Sequence, residues 1–81
     1  MTKDAILESV NKVFKDIFDD ENIVINRSTT ANDVDGWDSL THITIISSVE
    51  EEFRIKFDMS DIVKFNNVGD MVDSIFVKLN K

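Results

Sequence analysis

The chain has 81 residues, 42% of them hydrophobic, and a formal charge of −7 at pH 7. At this length, residues 1–81 are expected to form a single domain with a thin core. The absence of cysteine excludes a disulfide framework and a thiolate zinc site. No apolar run is as long as a membrane span, and no signal-peptide core follows Met1, so we expect no membrane insertion and a cytoplasmic location.

The negative charge is concentrated in the middle of the chain. Six acidic residues and no lysine or arginine lie between Ser28 and Phe53, whereas acids and bases nearly cancel elsewhere. Such a surface repels nucleic acid and anionic lipid and attracts basic proteins, so no nucleic-acid partner is expected. The alternative is a solvated face with no partner.

A helix is predicted over residues 3–18, where apolar residues recur at helical spacing behind Thr2, a suitable N-cap. From Asp19 to Trp37 the composition changes to side chains that compete for backbone hydrogen bonds, which predicts a long loop without regular structure. A loop of this length usually carries function. Its apolar stretch, Ile23–Ile25, is expected to hold it against the core.

A second helix is predicted from Asp38 to about Phe53. Its apolar residues form a broad arc that is expected to face several neighbours: Leu40, Ile43, Ile45, Ile46, Val49 and Phe53. The polar residues of the opposite face are Thr41, Thr44, Ser48, Glu51 and Glu52.

The C-terminal third predicts two further helices. The alternating segment 54–57 (RIKF) indicates a short extended link, with Ile55 and Phe57 inward. A short helix is predicted over 59–64, capped by Asp58 or Ser60, and a last helix over 68–79, capped by Asn67. The predicted fold is all-α: a four-helix bundle with a long loop between helices 1 and 2 and a short third helix.

Ser39, at the predicted start of helix 2, is the first candidate for chemistry. A catalytic serine needs a neighbouring base, and the only histidine is His42. We interpret the helical rotation over three residues as placing His42 nearly opposite Ser39, which argues against a Ser–His hydrolase. The imidazole is expected instead beside Ile46, Val49 and Phe53, as a hydrogen-bonded core residue or the lining of a ligand pocket. Trp37 is interpreted as a staple over the helix start, the alternative being a surface aromatic residue for partners.

The segment Asn32–Gly36 (NDVDG) resembles the start of a calcium-binding loop. With Gly36 at the sixth position, Ala31 and His42 fall where two main ligands belong. A solvated turn is therefore favoured, and no metal site is predicted.

The sequence 38–40 (DSL), opening an amphipathic helix, resembles the attachment motif of acyl carrier proteins. The resemblance covers nearly the whole chain. It includes the first helix, the long loop, 49–53 (VEEEF) at the end of helix 2, 54–57 (RIKF), the short third helix, and 68–75 (VGDMVDSI) opening the fourth.

The resemblance implies a carrier, not an enzyme. Ser39 would bear 4′-phosphopantetheine, transferred from coenzyme A by a phosphopantetheinyl transferase, and the arm would hold acyl or aminoacyl groups as thioesters. Asp38 and Leu40 would contact the transferase. Glu50 and Glu51 would meet basic residues of acyl-activating and acyl-transferring enzymes. The carrier is expected to be monomeric.

The chain departs from the pattern of fatty-acid carriers early in helix 2. Thr41 and Thr44 stand where further acids are usual, and Ser47 stands where a large apolar residue is common. Thr44 and Ser47 are therefore expected to make partner recognition selective, and the resemblance points to a stand-alone carrier of a specialised pathway. The alternative function is an unmodified acidic helical adaptor for a basic protein.

In carriers of this kind the cleft between helices 2 and 3 can receive the arm or its cargo. His42, Ile46 and Ile62 are the residues expected to line it. A histidine there favours a short, polar or exposed cargo over a long saturated chain, because stripping a buried polar group of its partner costs about 1–3 kcal/mol.

Overall fold

The structure, a computed structural model, describes residues 1–80. Its helices are α1 (Lys3–Phe18), α2 (Ser39–Phe53), α3 (Met59–Ile62) and α4 (Val68–Leu79), and a 3-10 turn (Ala31–Asp33) interrupts the long loop. The predicted all-α bundle is confirmed, although the loop is not wholly irregular. No helix in residues 1–80 has both the length and the apolar character needed to cross a membrane.

Side-chain caps explain why the helices begin where they do. Thr2, Asp38, Asp58 and Asn67 each accept a hydrogen bond from a backbone N–H of the first turn that follows. For α3, the cap is thus the first of the two predicted candidates. The helix ends at Ile62, two residues earlier than predicted.

The core lies where α1 packs against α2 on one side and α4 on the other. Its fully buried side chains come from these three helices: Ile6, Val10 and Phe14 from α1, Ile45 and Val49 from α2, and Val68, Met71, Val72 and Ile75 from α4.

The predicted burial of α2 is wrong at two positions. Leu40 is 78% exposed and Ile43 is 64% exposed. The long helix packed against α2 is α1, which covers one side of it, and α3 is only four residues long. The apolar arc of α2 is therefore wider than the surface its neighbours can cover.

The long loop is held to α1 by Asn11. The Asn11 side chain donates to the carbonyl oxygen of Ile23 at 3.3 Å and accepts from the backbone N–H of Ile25 at 2.7 Å. One amide thus pairs with the loop much as a neighbouring strand would. Ile25 is buried, but Val24 between them is 83% exposed, so the prediction that the whole apolar stretch packs inward is wrong for Val24.

The same loop is joined to the start of α4. The backbone N–H groups of Val68 and Gly69 donate to the carbonyl oxygens of Thr29 at 2.9 Å and Arg27 at 2.8 Å. A Cβ on Gly69 would lie 2.8 Å from the Arg27 oxygen, so this approach requires glycine. Arg27 also pairs with Asp73 at 3.0 Å.

The link after α2 turns sharply before it extends. Arg54 is left-handed, with φ 56°, and closes α2 instead of beginning an extended segment. Beyond it Ile55 is half-buried and Phe57 is buried, as the alternation predicts. Phe65 then packs edge-on against Phe57, with ring centroids 5.1 Å apart. The chain after α3 thus turns back toward Phe57, and α3 ends at Ile62 before this turn.

Candidate functional site

Ser39 is the first residue of α2 and is exposed. The preceding Asp38 carboxylate accepts hydrogen bonds from the Thr41 backbone N–H at 2.9 Å and hydroxyl at 3.0 Å. The backbone bond is the main reason why the pKa of Asp38 lies below its usual value. The Thr41 hydroxyl is also 2.8 Å from the carbonyl oxygen of Gly36. These bonds fix the start of the helix, so Ser39 is presented from an ordered helix N-terminus.

A cavity of about 420 Å³ opens beside this serine. Its lining comes from the end of the long loop, the first turn of α2 and the segment after α3: Ala31, Trp37, Asp38, Ser39, His42, Phe65 and Asn66. A larger cavity of about 650 Å³ lies along the long loop and is bordered by Phe18, Ile25 and Thr29, among others, but not by Ser39. The smaller cavity is therefore the one that an attachment on Ser39 would meet.

Trp37 and His42 form one unit in the wall of this cavity. The indole N–H of Trp37 donates to Nδ1 of His42 at 3.0 Å. The ring planes differ by 18° and the centroids are 5.9 Å apart, so the short bond joins the rings nearly edge to edge. Trp37 also packs edge-on against the buried Phe14, with centroids 5.1 Å apart. The contact of Trp37, the residue before the cap, with His42, the fourth residue of α2, is the predicted staple.

The predicted separation of His42 from Ser39 is wrong, because both side chains line the same cavity. A rotation of about 300° over three residues equals 60° in the opposite sense, so residues i and i+3 are neighbours on a helix. The hydrogen bonding of His42 nevertheless excludes it as the base for Ser39. Nδ1 of His42 is occupied by the Trp37 indole, and a neutral imidazole that accepts at Nδ1 carries its proton on Nε2. Burial lowers the pKa of His42, which favours this neutral form.

The other predicted pocket residues lie elsewhere. Ile46 is 5% exposed and belongs to the core, and Ile62 is half-buried against that core. Neither lines the cavity beside Ser39, because Phe65 and Asn66 close it instead. The sequence indicates only a turn at Asn66, with no sign that this turn folds back toward Ser39.

The residues predicted to meet partners do not share one environment. Thr44, Ser47 and Glu51 are exposed on α2. Glu50 is only partly exposed, and its carboxylate accepts a 2.8 Å hydrogen bond from the backbone N–H of Phe57. The structure therefore gives Glu50 an internal bond and leaves Glu51 facing solvent.

Asp33, from the segment that resembles a calcium loop, is used locally. Its carboxylate accepts from the Thr30 backbone N–H at 2.9 Å and lies 3.2 Å from the Thr30 hydroxyl, which closes the 3-10 turn. In residues 1–80, no group of three or more histidine, aspartate or glutamate side chains is arranged to hold a metal ion.

Three comparisons with known proteins relate this chain to carriers of phosphopantetheine. The family described as "Phosphopantetheine attachment site" matches residues 5–75. An acyl carrier protein of Cyanidium caldarium is 32% identical over 82 residues, which cover 99% of this chain and 93% of that protein. The solution structure of a holo acyl carrier protein from Geobacter metallireducens superposes with a TM-score of 0.87 at 43% identity, covering 93% of this chain and 86% of that one. The chain belongs to the acyl carrier protein family.

Proposed function

We propose that Ser39 is the residue that bears 4′-phosphopantetheine, and that the chain presents acyl or aminoacyl thioesters to partner enzymes. The observation that carries this proposal is the position of Ser39 at the exposed, capped N-terminus of α2, beside a cavity. The arm supplies the thiol that binds the cargo, and the chain itself contains no cysteine.

The residues around Ser39 fit such a group. The N-terminus of a helix favours negative charge through its free N–H groups and its dipole, so a phosphodiester on Ser39 is well placed electrostatically. The cavity is bounded by the rings of Trp37, His42 and Phe65 and leaves room for an arm to fold back. Ser39 is exposed at this helix start, which leaves its hydroxyl accessible to the transferase.

The protein is proposed to be a substrate of its transferase and not a catalyst. The one acceptor nitrogen of neutral His42 is held by Trp37, so the transferase must supply the base that activates Ser39. Asp38 is held in its ionised form by the helix start, and its carboxylate faces the transferase together with the metal ion that such sites use to neutralise phosphate.

Partners are proposed to dock over the exposed part of α2. Leu40 supplies an apolar contact beside Ser39, Glu51 supplies charge, and Thr44 and Ser47 make the surface selective for particular enzymes. These enzymes activate or transfer acyl groups. The first turn of α2 contains no acidic residue, and this favours a specialised pathway, of polyketide, peptide or surface-modifying type, over general fatty-acid synthesis. We further propose that the carrier works as a monomer in the cytoplasm, where coenzyme A is available to the transferase.

Intact mass measurement after co-expression with a broad-specificity phosphopantetheinyl transferase tests the proposal. We expect one phosphopantetheinyl group per chain and none on Ser39→Ala. The variant Ser48→Ala is the matched control from the same helix and should load fully. An unmodified wild-type chain would instead favour the acidic adaptor, and loading of Ser39→Ala would overturn the assignment of the site.

A further inference from the structure

We propose that His42 selects the cargo: its Nε2–H donates a hydrogen bond to a hydroxyl or carbonyl oxygen carried by the acyl chain beyond the thioester, and so favours short, polar acyl groups over long alkyl chains. This inference rests on the proposed function of Ser39. It assigns to His42 a role that neither the fold nor the attachment motif requires.

The imidazole ring of His42 is held in one orientation. His42 is bonded through Nδ1 to the indole of Trp37, and Trp37 is wedged edge-on against the fully buried Phe14. The buried Phe14 thus fixes Trp37, and Trp37 in turn fixes the imidazole of His42. An oriented donor loses less conformational freedom when it binds than a free side chain does.

The hydrogen bond with Trp37 decides which ring nitrogen of His42 is a donor. With Nδ1 accepting from Trp37, the neutral ring carries its proton on Nε2. Nε2–H is therefore the polar group that His42 has left to offer to the cavity it lines with Ser39. The burial that lowers the pKa of His42 keeps this form dominant at neutral pH.

The cavity beside Ser39 has both aromatic and polar lining residues. Its aromatic residues suit a thin, partly apolar chain, and the polar residues Asn66 and His42 also line it. A 3-hydroxyl group of the cargo can accept from Nε2–H, whereas the pantetheine amides and the thioester carbonyl are common to every cargo and cannot distinguish one from another. A long saturated chain has no acceptor along its length, so it would separate His42 from water and leave the donor unpaired.

The first experiment follows the imidazole directly, which is simple because His42 is the only histidine and Trp37 the only tryptophan. Ring nitrogen shifts of His42 and exchange of its Nε2 proton are measured by NMR in the apo, holo and 3-hydroxybutyryl-loaded forms. A change that appears only after loading places the acceptor on the cargo and supports the inference, whereas a change that is already complete in the holo protein places it on the arm and contradicts a role in cargo selection. Identical His42 resonances in all three forms would overturn the inference.

The second experiment compares cargoes. Acetyl, 3-hydroxybutyryl and octanoyl groups are loaded on the wild type, on His42→Leu and on His42→Gln, and cleavage of the thioester by hydroxylamine is timed. We expect His42→Leu to slow cleavage of the octanoyl thioester by about two- to tenfold, the effect of one ordinary hydrogen bond, and to speed cleavage of the hydroxybutyryl one. His42→Gln, which keeps a donor, should resemble the wild type.

The two proposals fail in different ways. A wild-type chain that the transferase does not load contradicts the function of Ser39. A chain that loads normally but protects octanoyl groups strongly, with no gain in His42→Leu, contradicts only the role of His42. Helical circular dichroism verifies that each variant is folded, and the NMR comparison on the wild type decides the question if a variant is not.

Discussion

The carboxylate of Glu50 accepts a 2.8 Å hydrogen bond from the backbone N–H of Phe57 and thereby ties the end of α2 to the link that follows it. Its neighbour Glu51 is exposed, with no such bond in residues 1–80. Two adjacent acids of one helix are therefore used differently. One satisfies a partly buried backbone donor, and the other contributes to the surface charge.

This difference predicts unequal costs of mutation. Glu50→Ala leaves the Phe57 N–H without its acceptor and should lower the free energy of unfolding by about 1–2 kcal/mol. Glu51→Ala should change it by less than about 0.5 kcal/mol, as exposed positions generally do. Urea denaturation followed by circular dichroism measures both. Equal stabilities of the two variants would show that the Glu50 bond contributes nothing.

For partner recognition, in contrast to stability, substitution of Glu51 should have a larger effect than substitution of Glu50. Glu51→Lys is expected to slow loading mainly through the encounter rate, because rim charges act chiefly on association, and the effect should shrink as salt is added. Thr44→Val and Ser47→Leu keep the charge and should instead change the ranking of partner enzymes. Stopped-flow association and steady-state loading with at least two partners separate the two effects. A uniform loss across all partners for every variant would contradict this division.

The start of α2 should respond to acid. Hydrogen bonding to Thr41 lowers the pKa of Asp38 in the folded protein, so its carboxylate stabilises the fold above the unfolded pKa of about 3.9. That contribution is lost as the pH falls through the lower, folded value. Asp38→Asn keeps a capping oxygen but no charge, and its melting temperature should fall less steeply than that of the wild type below about pH 4. If the melting temperatures of the two proteins fall equally with pH across that range, the Asp38 carboxylate does not stabilise the helix start through its charge.

Gly69 is expected to tolerate no side chain. The Cβ of Gly69→Ala would meet the Arg27 carbonyl oxygen at 2.8 Å, and backbone atoms on both sides cannot move aside cheaply. The loop must separate from α4, which should cost about 1–3 kcal/mol. Val77→Ala, at an exposed position of the same helix, is the matched control and should be nearly neutral. Thermal melts of the two variants compare the costs directly.

The helices and their caps were predictable because their causes are local. Thr2, Asp38 and Asn67 each precede an apolar periodic run, and each caps the helix predicted for it. Ser39 could be singled out for the same reason, since its motif is continuous in the sequence.

The exposure of Leu40 and Ile43 could not be predicted, because periodicity shows which face of a helix is apolar but not how much of it another element covers. The bond from Glu50 to Phe57 depends on the turn between them. Phe65 reaches the cavity through the path of the chain after α3, which no local pattern encodes.

The contacts between the long loop and α4 have a consequence for how the chain folds. The pair Arg27–Asp73 is separated by 46 residues, so the loop acquires these partners only after α4 has docked. The amides of Val68 and Gly69 are protected by carbonyl groups of the loop and not by a turn of their own helix. Their hydrogen exchange therefore reports the opening of the loop, separately from the unwinding of α4.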